Sequence, residues 1–199
     1  MPPRTLLELA GLSPAPSPLS RAVLVVIDAQ HEYVDGKLPL TGVREALGQI
    51  AELLARARKA GRPVIHVQHK GRPGGAFGPD TPGFPIVREA APISSETLIG
   101  KSLPNAFAGT GLKDALDATG SKELILTGFM THMCVEATAR VATDLGFKST
   151  VVAGATATRD LPDPLTGAVV PAAEVHRNAL TALNDRFAVV VKDAGKVPD

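Results

Sequence analysis

The stretch AVLVVIDAQ, residues 22–30, constrains the fold of this chain more than any other feature. Its first six residues are all apolar, which is typical of a strand covered on both faces, as the strands of parallel sheets are. An acidic residue, Asp28, follows this run directly. We therefore expect Asp28 at the carboxyl end of a strand in a parallel sheet.

Strand and helix patterns alternate along the rest of the chain. Apolar residues at spacings of three and four predict an amphipathic helix over 42–61, which Gly61 ends. The same reasoning predicts further strands at 63–69, 97–101, 122–128, 148–154 and 187–191, and further helices at 111–119, 134–145 and 171–183. The alternation predicts an α/β fold: a single-domain, doubly wound, Rossmann-like sheet of six mostly parallel strands with helices on both faces.

Two segments are rich in proline and do not fit this alternation. Residues 1–20 contain Pro2, Pro3, Pro14, Pro16 and Pro18, and we interpret them as an N-terminal arm that precedes one domain over 21–199. Residues 70–92 contain five Gly and five Pro, too many for regular structure. A loop of this length suits a lid, a pocket wall or a subunit contact.

Charge and composition exclude several classes of partner. Lys and Arg number 21 and Asp and Glu number 20, which gives a net charge of +1 without runs of like charge. This balance predicts no nucleic-acid and no membrane partner. No signal-peptide pattern and no apolar run of about 18 residues is present, and there is one cysteine. We therefore expect a cytoplasmic protein.

The single cysteine, Cys134, lies where the predicted strand 122–128 passes through a tight loop into a helix. Unpaired backbone N–H groups and the helix dipole favour a thiolate at such a position, and they can hold an oxyanion. The alternative is that Cys134 is a small buried apolar residue, which is common for free cysteine.

Asp28 and Lys101 are predicted to reach the same sheet edge as Cys134, because each ends a strand. A carboxylate there can take the thiol proton and return it to a leaving amine, while an ammonium group stabilises the thiolate. Taken singly, Asp28 also fits a loop-capping residue and Lys101 a solvated lysine.

Several motifs of this chain resemble the isochorismatase-like hydrolases, a family of cysteine hydrolases that includes nicotinamidase and N-carbamoylsarcosine amidohydrolase. The resemblance covers about residues 20–192. It rests on VLVVIDAQHEYV, GKSLPNAF, GFMTHMCVEATARVATDLGF, VVAGATATRD and HRNALTALNDRFAVV. It implies that Cys134 is the nucleophile, Asp28 the general base and acid, and Lys101 the third member of the triad.

The resemblance also implies details around the triad. It implies a cis peptide bond between Phe129 and Met130 and an oxyanion hole formed by the backbone N–H groups of Met130 and Cys134. Candidate substrate-binding residues are Tyr33, Phe77, Phe107 and His132, for which simple packing is the alternative. Gln30 and Asn105 are weaker candidates for hydrogen bonds to a polar substrate group.

We expect no metal and no cofactor. Nicotinamidases bind a metal through an Asp-x-His pair after the second strand, whereas this chain has VQHKGRPGGAFGPD there. We place His66 and His69 on one face of the 63–69 strand and interpret them as hydrogen-bonded structural groups.

The sequence thus predicts a cysteine-dependent hydrolase of a small non-peptide amide, acting through a thioester. Alternatives are an isochorismatase-type vinyl-ether hydrolase that does not need Cys134, and a non-catalytic or redox-responsive thiol protein on the same fold. The resemblance implies a homo-oligomer, a dimer or a tetramer, whose size cannot be read from the sequence.

Overall fold

The computed structural model of the protein describes residues 2–199 and contains one six-stranded sheet. The strands are β1 (Ala22–Ile27), β2 (Val64–His69), β3 (Thr97–Lys101), β4 (Glu123–Phe129), β5 (Lys148–Ala157) and β8 (Val189–Val191). Their order in the sheet is β3-β2-β1-β4-β5-β8, and every neighbouring pair is parallel. This is the doubly wound order, which confirms the predicted fold class.

Helices cover both faces of the sheet. The helices are α1 (Leu6–Leu9), α2 (Val43–Lys59), α3 (Leu112–Ala118), α4 (Glu136–Asp144) and α5 (Ala172–Arg186). The buried side of α2 packs with Leu24 and Val26 of β1 in one core cluster. Apolar residues of α3, α4 and α5 pack with Val23 and Val25 in a second cluster on the other face. Successive β1 residues thus enter opposite clusters, as the uninterrupted apolar run predicts.

The proline-rich arm lies along the domain. The Leu6 N–H donates to Asp185 Oδ1 at 2.8 Å, and the Ser17 N–H donates to Thr150 Oγ1 at 2.8 Å. Ser17 is fully buried. Residues 5–19 therefore form part of the packed surface in this structure.

The structure differs from the sequence prediction around two segments. A wide π-helical turn, Thr131–Val135, precedes α4, so the regular helix begins two residues later than predicted. A short antiparallel hairpin, β6 (Leu161–Pro162) and β7 (Val169–Val170), interrupts the expected loop before α5. Two-residue strands carry too little periodicity to be read from sequence. No helix among residues 2–199 is long and apolar enough to span a membrane.

Candidate active site

Three strand ends bring Asp28, Lys101 and Cys134 into direct contact at the carboxyl edge of the sheet. Lys101 Nζ lies 2.7 Å from Asp28 Oδ2 and donates to Cys134 Sγ at 3.2 Å. The Asp28 carboxylate and the Cys134 thiol are close enough for each to influence the pKa of the other. The convergence follows from the topology, because β1 and β4 are neighbours and β3 lies two strands away across β2.

The backbone at the end of β1 aims Asp28 into this cluster. Asp28 adopts a left-handed conformation with φ of 51°, and its N–H donates to the Val67 carbonyl at 2.8 Å. Asp tolerates this conformation better than most residues with a side chain. Beside it, a Cβ on Gly128 would lie 1.9 Å from the Ile27 carbonyl oxygen. The close approach of β1 and β4 at this edge therefore requires glycine at position 128.

The π-helical turn holds Cys134. The Met130 carbonyl accepts hydrogen bonds from the N–H groups of Met133 and Val135, at 3.1 and 3.2 Å. The peptide bond between Phe129 and Met130 is cis. Cys134 is 4% exposed, so bulk water is largely kept away from its side chain.

Burial controls the protonation of the cluster. Burial raises the pKa of Asp28 to about 6, although Lys101 acts to lower it. Burial and the neighbouring Asp28 carboxylate raise the pKa of Cys134 to about 12, against the opposing effect of Lys101. The position of Cys134 before α4 favours a thiolate, whereas burial, the largest effect on its pKa, favours the neutral thiol against the opposing effect of Lys101.

A fourth side chain, His69, joins the cluster, and the sequence analysis did not assign it there. His69 ends β2 and is the register partner of Lys101. Its Nδ1 lies 3.0 Å from Lys101 Nζ. Burial and the lysine charge lower the His69 pKa to about 4, so at pH 7 the neutral ring accepts a hydrogen bond from the ammonium group.

Aromatic rings form one wall next to the cluster. Tyr33 is buried and packs edge-on against Phe77 and Phe129, with ring centroids 5.0 and 5.8 Å away. Phe77 also packs against the His69 ring at 5.0 Å. Burial, together with the negative charge at Asp28, raises the Tyr33 pKa, so its hydroxyl stays neutral. The structure therefore brings two predicted substrate-binding candidates, Tyr33 and Phe77, to the site.

Polar groups surround His132 of the π-helical turn. His132 Nδ1 is 2.6 Å from Thr158 Oγ1, and burial and Arg159 lower the His132 pKa. The charge of Arg159 also acts to lower the pKa of Tyr33, against the effect of burial. The Arg159 Nε is buried and has no hydrogen-bond partner. Arg159 is not among the site residues predicted from the sequence. Its position two residues after β5, at the same sheet edge, is the signal that would have identified it.

Three other sequence candidates have different surroundings from those expected. Phe107 stacks on Phe147 with centroids 6.2 Å apart, and Phe147 precedes β5 at the opposite, amino edge of the sheet. Asn105 Oδ1 accepts from the Phe107 N–H two residues on, which is a local turn. The Gln30 side chain bonds the backbone of His69 and Phe84. These contacts give each of the three residues a structural role, and a role in substrate binding stays a prediction.

His66 lies outside the site. The expectation that His66 and His69 share a face is wrong, because residues three apart on a strand point to opposite faces. His66 Nε2 lies 2.9 Å from Glu96 Oε2, and Arg58 donates to both Glu96 oxygens. Burial alone would raise the pKa of Glu96, but hydrogen bonds from Arg58, the Ile93 N–H and His66 lower it to about 2. The hydrogen bonds of Glu96 thus connect β2 to the segment before β3.

The donor set at the site does not match a metal centre. Within residues 2–199, no three or more His, Cys, Asp or Glu side chains form a group that could hold a metal ion. Lys101 occupies the position between the carboxylate, the thiol and the imidazole that a cation would take. The arrangement supplies a nucleophile, a proton carrier and a fixed positive charge, which are the parts needed for acyl transfer.

The sequence and the fold of this chain have counterparts among known proteins. A family model described as Isochorismatase domain matches residues 22–194. The crystal structure of an isochorismatase from Pseudomonas putida KT2440 has a TM-score of 0.93 and 43% identity, covering 98% of this chain and 99% of that chain. Streptothricin hydrolase of Streptomyces noursei is 39% identical over 172 residues, 86% of this chain and 62% of that protein. Maleamate amidohydrolase of Pseudomonas putida is 32% identical over 149 residues, 66% of this chain and 70% of that protein.

Proposed function

This chain belongs to the isochorismatase family, as its motifs predict, and we propose that it is a cysteine hydrolase of a small amide, cleaving a carbon–nitrogen bond that is not a peptide bond. The observation that carries the proposal is the contact of one ammonium group with both other triad members. Lys101 Nζ lies 2.7 Å from Asp28 Oδ2 and 3.2 Å from Cys134 Sγ. A nucleophile, a base and a fixed charge are thus within reach of one reacting carbon.

In the first half of the proposed reaction, Cys134 attacks the amide carbonyl carbon. The thiol proton passes to the Asp28 carboxylate as the sulfur–carbon bond forms. The raised Asp28 pKa of about 6 makes this carboxylate a stronger base near neutral pH than an exposed one. The proton then moves from Asp28 to the leaving nitrogen, the carbon–nitrogen bond breaks, and ammonia or an amine departs.

In the second half, water hydrolyses the thioester that remains on Cys134. Asp28, ionised again, takes a proton from the water as its oxygen attacks the thioester carbon. The carbon–sulfur bond breaks and the proton returns to sulfur. The product is a carboxylic acid, and thiol and carboxylate are both restored.

We assign the oxyanion hole to the backbone N–H groups of Met130 and Cys134. Both residues belong to the segment that leads from β4 into the π-helical turn. Donors placed where negative charge develops contribute about 10²-fold or more to such reactions. Lys101 adds a positive charge that remains next to the sulfur throughout.

The substrate is proposed to be small because the reacting groups are enclosed. Asp28 and the Lys101 side chain have no exposed surface, and Cys134 is 4% exposed. A narrow acyl group can reach this sulfur more easily than a folded polypeptide can. The name of maleamate amidohydrolase indicates a small amide as the substrate of that relative, which supports the same chemical class here.

Amide hydrolysis can be tested with a panel of small primary amides and ureido acids that includes maleamate, by measuring release of ammonia. We expect turnover for at least one compound, and we expect Cys134→Ala and Asp28→Asn to reduce it at least about 10³-fold. Asp114→Asn, a change of the same kind at an exposed site on α3, is the matched control and is expected to retain activity. Mass spectrometry of the quenched enzyme should show an acyl adduct on Cys134.

Two results would favour the alternatives. Hydrolysis of a vinyl ether such as isochorismate that survives Cys134→Ala would indicate the reaction that does not need the cysteine. Absence of any turnover, together with reversible oxidation of Cys134, would indicate a redox-responsive thiol protein.

A further inference from the structure

The Lys101 ammonium group, which carries three protons, has three close polar neighbours. Asp28 Oδ2 lies at 2.7 Å, His69 Nδ1 at 3.0 Å and Cys134 Sγ at 3.2 Å. A lysine side chain has four rotatable bonds and, when exposed, samples many positions. Here its side chain is fully buried, so three acceptors on three different strand ends determine where the positive charge sits.

We propose that His69 is a positioning residue for the triad: it accepts a hydrogen bond from Lys101 and thereby holds the ammonium group between the base and the nucleophile. The inference rests on the proposed function for its catalytic meaning, because the lysine matters only if Asp28 and Cys134 react. His69 acts through Lys101 and takes no proton from substrate.

The local structure fixes His69 in this role. His69 and Lys101 are register partners on adjacent parallel strands, so the two side chains leave the sheet side by side. The His69 N–H donates to Gln30 Oε1 at 2.8 Å, and its carbonyl accepts from Gln30 Nε2 at 3.0 Å. Gln30 therefore clamps the His69 backbone from both sides. The Phe77 ring packs against the imidazole at 5.0 Å and limits its rotation.

The tautomer of His69 follows from its partner. An ammonium group has only donors, so Nδ1 must present its lone pair and the ring proton must lie on Nε2. A protonated imidazole would place a second positive charge 3.0 Å from Lys101 Nζ. The groups that face this pair are Asp28 and Cys134, and the lowered pKa of His69, about 4, agrees with a neutral ring at pH 7.

Three substitutions separate this role from packing. Asn places an acceptor oxygen near the position of Nδ1, Gln places its polar atoms nearer to Nε2, and Leu has no acceptor. Positioning through Lys101 predicts that His69→Asn retains function while His69→Gln and His69→Leu lose it. A packing role against Phe77 predicts the opposite order, since Leu fills apolar space better than Asn.

The first measurement is the rate of Cys134 alkylation by iodoacetamide between pH 6 and 10, followed by mass spectrometry. This readout needs no substrate, and Cys134 is the single cysteine of the chain. We expect His69→Leu and His69→Gln to slow alkylation at pH 8 about tenfold and to move the profile to higher pH, because a mobile ammonium group stabilises the thiolate less. His69→Asn should stay within about threefold of the unchanged protein.

Gln68→Leu is the matched control. It removes a hydrogen bond to the Phe84 carbonyl one residue earlier on the same strand and should leave the alkylation profile unchanged. Thermal unfolding of each variant shows whether it folds. If His69→Leu fails to fold, the alkylation profiles of His69→Asn and His69→Gln are compared instead, and their order decides whether the positioning role holds.

The inference is overturned if His69→Leu alkylates like the unchanged protein, or if Gln restores the profile as well as Asn does. Hydrolysis measurements on the same variants should show a fall in kcat with little change in KM. If the unchanged protein hydrolyses no amide but the alkylation order still holds, the positioning role stands and the proposed function fails.

Discussion

Replacing Asp28 by Asn is predicted to have opposite effects on two reactions of Cys134. Amide hydrolysis should be lost, because Asn can neither accept the thiol proton nor deliver it to the leaving nitrogen. Simple alkylation of the thiol should become faster, because the Asp28 charge is one of the causes that raise the Cys134 pKa. Asn has the shape of Asp and keeps an oxygen that can accept from Lys101.

The size of the increase can be worked out from Coulomb's law for two neighbouring charges. Two unit charges about 4 Å apart interact by about 4 kcal/mol at an effective dielectric constant of about 20, which corresponds to about 3 pKa units. Each unit by which the thiol pKa falls raises the thiolate fraction about tenfold and lowers the nucleophilicity of the thiolate about threefold. The net expectation is alkylation about 30-fold faster at pH 7.5 in Asp28→Asn.

The assay is iodoacetamide labelling of the folded protein, quantified by mass spectrometry, beside ammonia release from the best amide substrate. Circular dichroism verifies that the variant is folded, and Asp114→Asn controls for loss of a carboxylate elsewhere. If alkylation slows or does not change in Asp28→Asn, the carboxylate does not act on the thiol as the buried geometry requires. If hydrolysis survives, Asp28 is not the proton carrier.

Three further predictions concern pH and stability. Burial raises the Asp28 pKa to about 6. We therefore expect kcat/KM to fall as the pH drops through about 6, because the protonated carboxyl can no longer accept a proton. A pH–rate profile in which kcat/KM does not fall at acid pH would contradict the role of Asp28 as the base. Glu96→Gln should lower the free energy of unfolding at pH 7 by about 2 kcal/mol with hydrolysis unchanged, measured by urea denaturation. Because the Glu96 pKa is lowered from 4.5 to about 2, its contribution is present above pH 4.5 and is lost as the pH falls through 2, and the variant should lack this part of the acid dependence. Gly128→Ala should prevent stable folding, because the added Cβ would lie 1.9 Å from the Ile27 carbonyl oxygen. Gly48→Ala in α2 should instead raise the melting temperature, because a Cβ there meets nothing within 4 Å.

The elements and their order could be predicted from the sequence because hydrophobic periodicity is a local property. The run from Ala22 to Ile27 indicates a strand buried on both faces, and the alternation with helices restricts the sheet to parallel crossovers. Since ligand sites in such sheets lie at the carboxyl ends of the strands, the positions of Asp28, Lys101 and Cys134 along the chain already predicted their convergence.

The tertiary structure determined the pKa shifts of these groups and their neighbouring side chains. Whether Cys134 is a thiol or a thiolate depends on desolvation and on charges that lie far away in the sequence, so the position before a helix does not determine the state by itself. The pairing of His69 with Lys101 depends on the register of two strands, while Phe107 turns toward Phe147 because a loop conformation sets its direction. Local patterns determine where a strand ends, but the pKa and the partners of the residue at its end are set by the three-dimensional packing around it.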